Sequence, residues 1–315
     1  MTQVIESPST GKTRSITDYK IRPANHIKRT IASLIVAVLV ASLAWSFVTN
    51  PKWGWGIVAK WLFAPSILAG LWTTLKLTFI SGLVGFSLGA VLTLMRLSSS
   101  PFVRGTSWTF SWIFRSTPLL VQLLIWYNIG YLYKTVGLWI PFTDTILLRT
   151  PANHVFTPLL AAVLGLGLNL AAYSAEIFRG GILSVDHGQV EAAKALGLPK
   201  TDRVWRIILP QAMKSSLPAA FNELISLVKG TAIVYVLAFQ ELFLTVQIVY
   251  ARTQEVLPML LVATVWYVII TSILSVLQFY VERHFSQGVV PVRDRRSRQN
   301  RWISNFLTAN ARGNK

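Results

Sequence analysis

The sequence predicts an all-α, polytopic membrane helical bundle of about six transmembrane helices. Three observations carry that prediction. Of 315 residues, 53% are hydrophobic and only 13% are charged, whereas a soluble domain of this size carries about a quarter charged residues. Six apolar segments can be marked, at 30–48, 66–95, 117–137, 155–178, 222–250 and 256–281, and about 20 helical residues cross a hydrocarbon layer. The cations are unevenly placed. With the N-terminus inside, the inner connections and tails hold 23 Lys and Arg, and the outer connections hold 5. That asymmetry obeys the positive-inside rule and puts both termini in the cytoplasm.

The same composition excludes several function classes. The chain has no cysteine, so a disulfide framework, a thiolate metal site and a Cys nucleophile are out. Its four His, at 26, 154, 187 and 284, are scattered with no metal or triad spacing, so no catalysis by this chain is expected. A net charge of +18 would suit nucleic acid. Topology already accounts for that charge: "RDRRSRQNR" at 293–301 is orientation charge beside anionic lipid, and no nucleic-acid partner is expected. "STGKT" at 9–13 is like the end of a phosphate-binding loop, but Glu6 stands where the first Gly belongs and no apolar strand precedes it.

In chain order, residues 1–29 form a polar cytoplasmic tail. The first apolar segment follows at 30–48 and is a retained span, since no small-residue cleavage site stands after it. Together with the stretch "PKWGWGIVAKWLFAP" (51–65) it makes an N-terminal addition over 30–65. Three Trp and two Lys there fit an aromatic belt on the outer face; contact with a binding protein is the other reading. The second and fifth segments exceed the layer, so their ends are interfacial or tilted. Lys76 stands alone on the second and snorkels as an anchor. The outer connection 137–154 is long and of mixed polarity, which suits docking. A basic cytoplasmic tail, 282–315, ends the chain.

The connection 184–214 is neither apolar enough to span nor plain enough to be a linker. "SVDHGQVEAAKALG" offers Ser184 or Asp186 as N-cap, a run of alanines as helix formers and Gly197 as a stop. After Pro199, Thr201 or Asp202 can cap a second helix over 203–209, which Pro210 ends or kinks. The small alanine side chains allow another protein to approach closely. A helix lying on the membrane surface is the alternative.

Four ordered blocks carry a resemblance. "EAAKALG" followed by "IILP" looks like the EAA loop of permease subunits of bacterial ABC importers. "AYSAEIFRGGILSVDHGQ", "FNELISLVKGTAIV", "GLWTTLKLTFISGLVGFSLGAVLTLMRLS" and "FRSTPLLVQLL" are similar to the polar amino acid branch of that family. The resemblance covers a core over 66–281 and implies a type I importer permease fold. It implies a coupling helix that docks on a separate cytoplasmic ABC ATPase through Glu191, Ala192, Ala193 and Gly197, with Ile207, Leu209 and Pro210 bracing it. It also implies a second permease subunit, identical or homologous, and a periplasmic or surface substrate-binding protein. ATP would be used by the partner ATPase, with no cofactor bound by this chain, in the bacterial inner membrane. The extra span at 30–48, Gly230 where relatives often carry Asp, and "DHGQ" in place of a Pro-containing version depart from the pattern.

Polar groups within spans are costly and face a cavity or a partner. Candidates for the substrate pathway are Gln122, Tyr127, Asn128, Asn169 and Glu223; Tyr173, Glu176, Asn222, Lys229, Gln240 and Glu241 are also in apolar segments. Gln122 and Asn128 have the best depth, with hydrogen bonding between helices the equal alternative. Glu176 and Arg179 read as an ion pair, Glu223 as gate or loop packing, and Lys229 as a snorkelling cation. An ATP-independent transporter or channel would share the spans. It would need its own coupling acid or filter, and often an inverted repeat; no clear half-to-half repeat stands out, and a capped cytoplasmic helix has no obvious use there. A membrane scaffold would leave the four ordered blocks unexplained.

Overall fold

The computed structural model describes residues 27–139 and 146–285. The "STGKT" tail, His26, part of the 137–154 connection and the basic stretch at 293–301 lie outside the described residues. Two units divide the chain, Met1–Trp53 and Gly54–Lys315.

In the first unit, α1 spans Ile27–Thr49 and a 3-10 turn spans Pro51–Trp53. Residues 30–49 form an unbroken apolar run without Gly or Pro, and Pro51, which cannot continue a helix, follows its end. The Thr49 hydroxyl donates to the Trp45 carbonyl at 2.7 Å, and Phe47 packs on Trp53 with ring centroids 4.7 Å apart.

In the second unit the helices are α2 (Trp55–Leu62), α3 (Pro65–Arg96), α4 (Pro101–Ser116), α5 (Leu119–Tyr127), α6 (Ile129–Leu132), α7 (Ala152–Val155), α8 (Pro158–Leu183), α9 (His187–Ala195), α10 (Lys200–Asp202), α11 (Leu209–Gly230), α12 (Leu242–Thr253) and α13 (Val256–Phe285). Between α6 and α7, β1 (Thr135–Trp139) and β2 (Ile146–Pro151) pair antiparallel, with a bulge at Leu138/Trp139. This two-stranded ribbon is the one departure from an all-α reading among the described residues.

The centre of the unit is the α3–α8 pair. Gly85 and Gly89 of α3 face Leu170 and Ser174 of α8. A Cβ on Gly89 would lie 2.7 Å from that of Ser174 and 3.2 Å from the Ala171 carbonyl oxygen, so a side chain there would push the helices apart. Close approach through small residues is how membrane helices gain packing without a hydrophobic drive. The Thr93 hydroxyl bonds across the pair to the Ala175 carbonyl at 3.0 Å.

Among the described residues, five helical stretches are long and apolar enough to cross a membrane, at 30–49, 65–96, 158–183, 200–237 and 256–285. The predicted third span, 117–137, is not one helix. Pro118 separates α4 from α5, and α5 stops after nine residues at Asn128. The Asn128 side chain donates to the Leu124 carbonyl at 2.8 Å, competing with helix continuation. The two pieces pack on different helices: Ser107 of α4 bonds Leu92 near the Arg96 end of α3 at 2.7 Å, and Leu123 of α5 fills the space beside Gly165 of α8.

The predicted fifth span, 222–250, is also broken. Helix α11 starts at Leu209 and continues as a 3-10 stretch, Thr231–Leu237. Ala238 then takes a left-handed φ of 53° and ends it. Helix α12 restarts after Glu241, whose carboxylate accepts from the Phe243 and Leu244 amides, each at 2.8 Å. Thr74 accepts from the Leu242 amide at 3.1 Å, and Tyr267 donates to Glu241 at 3.3 Å. A break within an apolar segment strands backbone groups; Glu241, 0% exposed, and Thr74 satisfy them here.

Candidate functional site

The connection after α8 begins as the sequence predicts. Of the two proposed caps, Asp186 serves: its carboxylate accepts from the Gln189 amide at 3.2 Å. Helix α9 then closes on Gly197, whose φ is +74°. The Gly197 amide bonds the Lys194 carbonyl at 3.0 Å and the Leu198 amide bonds the Ala193 carbonyl at 3.1 Å. Those two bonds make a Schellman stop.

The second helix differs from expectation. Neither Thr201 nor Asp202 caps it, and Asp202 pairs with Arg206 at 3.6 Å instead. It starts at Lys200 and passes through Pro210 by way of a π turn, Arg203–Ile208, in which the Leu209 amide reaches back to the Val204 carbonyl. Pro210 has no N–H for the Arg206 carbonyl, and its ring would crowd that carbonyl in an α-helix. The wider turn accommodates both demands.

Burial sorts the loop into two faces. Ala193 is only 3% exposed and points into the chain's own fold. Glu191, Ala192, Ala195 and Gly197 are exposed, and Leu196 is 81% exposed at the tip. His187 Nδ1 lies 3.3 Å from the Glu191 carboxylate on the same free surface. Ile207 and Leu209 are half-buried, which fits bracing, and Pro210 is exposed. Gln211 donates to Gln189 at 2.7 Å and clasps α9 to α11.

The in-span polar groups divide between two cavities and the helix packing. A cavity of about 230 Å³ between α5, α8 and α11 is lined by Asn169, Tyr173, Glu223, Ser226 and Gly230 among leucines. The Arg115 guanidinium lies 5.3 Å from the Tyr173 ring centroid, a cation–π distance. A Cβ at Gly230 would sit 3.7 Å from Leu119 and Leu166, an ordinary contact. Asn222, Ser226 and Lys229 form an exposed polar row on α11, and Lys76 is exposed on α3. Tyr127 and Asn128 line a different cavity, of about 380 Å³, with Tyr131, Asn153 and Thr157.

Residues 81–287 match the family described as "Binding-protein-dependent transport system inner membrane component". This chain belongs to that family. Among curated relatives, the permease is 42% identical over 269 residues to the arginine transport system permease protein ArgU of Corynebacterium glutamicum, covering 85% of this chain and 83% of that one. It is 36% identical over 225 residues to the histidine/lysine/arginine/ornithine permease protein HisM of Escherichia coli, covering 70% and 90%. A solved amino acid ABC transporter crystallised with histidines is similar at TM-score 0.59 and 35% identity, over 70% of this chain and 95% of that one. The permease is thus the transmembrane component of an ABC importer, a multi-helix membrane subunit whose family works with ATPase and substrate-binding partners, ATP hydrolysis residing in a separate subunit.

Within this permease, three sequence-based site assignments change. Gln122 does not line the 230 Å³ cavity: it is 5% exposed and its amide nitrogen donates to the Phe114 carbonyl, the Thr117 carbonyl and the Thr117 hydroxyl. It ties the end of α4 to α5 across the Pro118 break. Asn128 caps α5 and lines the other cavity, not the one lined by Asn169 and Glu223. Ala193 faces the chain's own fold, 3% exposed, unlike its neighbours Ala192 and Lys194. Glu241, an in-span candidate, is spent on capping α12. Glu176 does pair with Arg179, at 2.8 Å, and also with Arg96, at 3.3 Å. Leu196 was not singled out by sequence; an apolar residue directly before a helix-stopping glycine was the available signal.

Proposed function

We propose that this permease carries polar amino acids, cationic ones foremost, through a pathway that passes Asn169, Tyr173 and Glu223. The observation that carries the reading is the convergence of those three side chains in one cavity between α5, α8 and α11. The Tyr173 phenol offers an α-carboxylate a donor and the Glu223 carboxylate offers a cationic group an anion, while Asn169 is held in place by its amide nitrogen, which donates to the Phe114 carbonyl at 3.1 Å and to Gln122 Oε1 at 3.4 Å. The volume is below the roughly 300–1,000 Å³ of drug-sized pockets, which suits a small zwitterion. The names of the arginine and histidine/lysine/arginine/ornithine relatives support the cationic preference.

The exposed row Asn222, Ser226 and Lys229 is costly against lipid. A second permease subunit, identical or homologous, facing it across the pathway removes that cost. The 23 to 5 partition of cations supports cytoplasmic termini, which puts α9 on the ATPase side. In this reading Glu191, Ala192, Leu196 and Gly197 meet the ATPase. The partner ATPase uses ATP, this chain binds no cofactor, and an external binding protein delivers substrate. The test is ATPase activity of the reconstituted complex across an amino acid panel. Arginine, lysine or histidine should stimulate turnover only with binding protein present; uptake without ATP would sink the reading in favour of a secondary transporter.

A further inference from the structure

A third cavity lies outside the pathway, between the end of α3 and the exposed face of α4. It measures about 440 Å³ and is lined by Arg96, Pro101, Arg104, Gly105, Trp108 and Thr109. Its charge is not balanced among the described residues. Arg96 and Arg179 share the single carboxylate of Glu176, and Arg104 has no ion pair among the described residues. Three guanidiniums against one carboxylate leave two positive charges in excess. Arg96 Nη1 is buried and has no hydrogen-bond partner, and such a donor costs about 1–3 kcal/mol unmet. Pro101 opens the 16-residue α4, and its N-cap Ser100 makes no side-chain bond to the first turn, so that end adds a further positive dipole.

The surroundings decide what kind of anion fits. Phe102 is 82% exposed beside the cavity in sequence, and Leu97, Trp108 and Trp112 are exposed as well. The Trp108 and Trp112 rings stack, 6.0 Å apart and within 2° of parallel. A soluble phosphate has no use for that apolar skirt. A diacyl lipid does, because its chains cover what its headgroup cannot. Tryptophan pairs also mark the headgroup depth of a bilayer, and basic pockets between membrane helices suit lipid phosphates.

We propose that this cavity holds the headgroup phosphate of an anionic glycerophospholipid, gripped by Arg96 and Arg104, with its acyl chains lying on Phe102 and the Trp108–Trp112 pair. Arg104 is the exposed half of the grip, so its substitution leaves the fold intact, whereas Arg96 also holds Glu176.

The experiment uses the full permease with its partner subunits in phosphatidylcholine nanodiscs doped with phosphatidylglycerol, followed by native mass spectrometry of retained lipid. Wild type should retain phosphatidylglycerol over phosphatidylcholine. Arg104→Gln should lose about fivefold of that preference, the worth of one cation near an anionic surface, and Arg104→Lys should keep most of it. Equal retention of the two lipids by wild type, or an unchanged preference in Arg104→Gln, overturns the proposal. A competition arm with glycerol phosphate separates lipid from free anion. Weak displacement is expected, and displacement as effective as by phosphatidylglycerol would make the cavity a phosphate site and overturn the lipid assignment.

Discussion

The side-chain amide of Gln211 donates to the side-chain oxygen of Gln189 at 2.7 Å, joining α9 to the start of α11 across 22 positions. Gln211 also donates to the Ile207 carbonyl. Displacement of α9 by a partner therefore reaches α11 through a direct strut as well as through the chain. Gln211→Leu removes the strut for a loss of about 1 kcal/mol in stability. We expect normal membrane insertion and bound ATPase, but fewer substrate molecules moved per ATP hydrolysed. Parallel uptake and phosphate-release assays on one preparation give that ratio; an unchanged ratio means the bond is decoration.

Gly197 separates strain from space. Nothing lies within 4 Å of a Cβ added there, yet its φ is +74°. Substitutions should therefore rank by tolerance of the left-handed region and not by size. Gly197→Val should cost about 1–2 kcal/mol locally and uncouple transport, while Gly197→Asn, which visits that region readily, should retain most activity. Equal loss in both variants would point to steric contact with the partner instead.

The two faces of α9 make a labelling pattern. Cysteines placed at Ala192, Ala195 and Leu196 should crosslink to the ATPase, and a cysteine at Ala193 should be slow to react even in the isolated permease. The chain has no native cysteine, so background labelling is low. Fast labelling of the Ala193 position would mean that α9 is turned relative to the fold described here.

Gln122 and Glu223 should fail differently. Gln122→Leu strands the Thr117 carbonyl and removes one acceptor of the Asn169 amide, and should lower thermal stability by about 1–3 kcal/mol, with an unchanged substrate ranking among surviving transporters. Glu223→Gln should leave melting nearly untouched and reduce uptake of arginine or lysine by roughly tenfold to a hundredfold, the worth of a hydrogen bond to a charged group. A melting curve and a substrate panel on both variants check the distinction. If Glu223→Gln leaves cationic uptake intact, Glu223 packs the loop and does not see substrate.

Much of this was legible in the sequence because it depends on local rules. Asp186, Gly197 and the alanine run between them specify a capped helix whatever surrounds it. The close approach of α3 and α8 at Gly85 and Gly89, by contrast, is a matter of tertiary packing that no local rule announces. The breaks were harder to read. Residues 117–137 and 222–250 are both mainly apolar, and hydropathy sees no difference between a span and two half-helices. What divides them is Pro118 and Asn128 in one case and Ala238 with Glu241 in the other. Ala238 gives no sign of its positive φ, since alanine rarely adopts one. Gln122 looked like a pathway residue because depth and polarity are readable, while hydrogen-bond partners eight residues back around a kink are not. Orientation of Ala193 needed the fold of the second helix, and that in turn depended on a π turn no periodicity announced.

That π turn sets a phase. One turn of this kind holds one residue more than the α-helix it replaces, and each residue of an α-helix advances 100° about the axis. Arg203–Ile208 thus acts as a one-tooth offset between the docking piece and the span it drives. Deleting a single residue within 203–208 would remove that offset and swing the part of the connection before it, Trp205 included, now 68% exposed, by about a quarter-turn or more around the shaft. The spans would be untouched and every docking side chain still present, but the gear would mesh at the wrong angle.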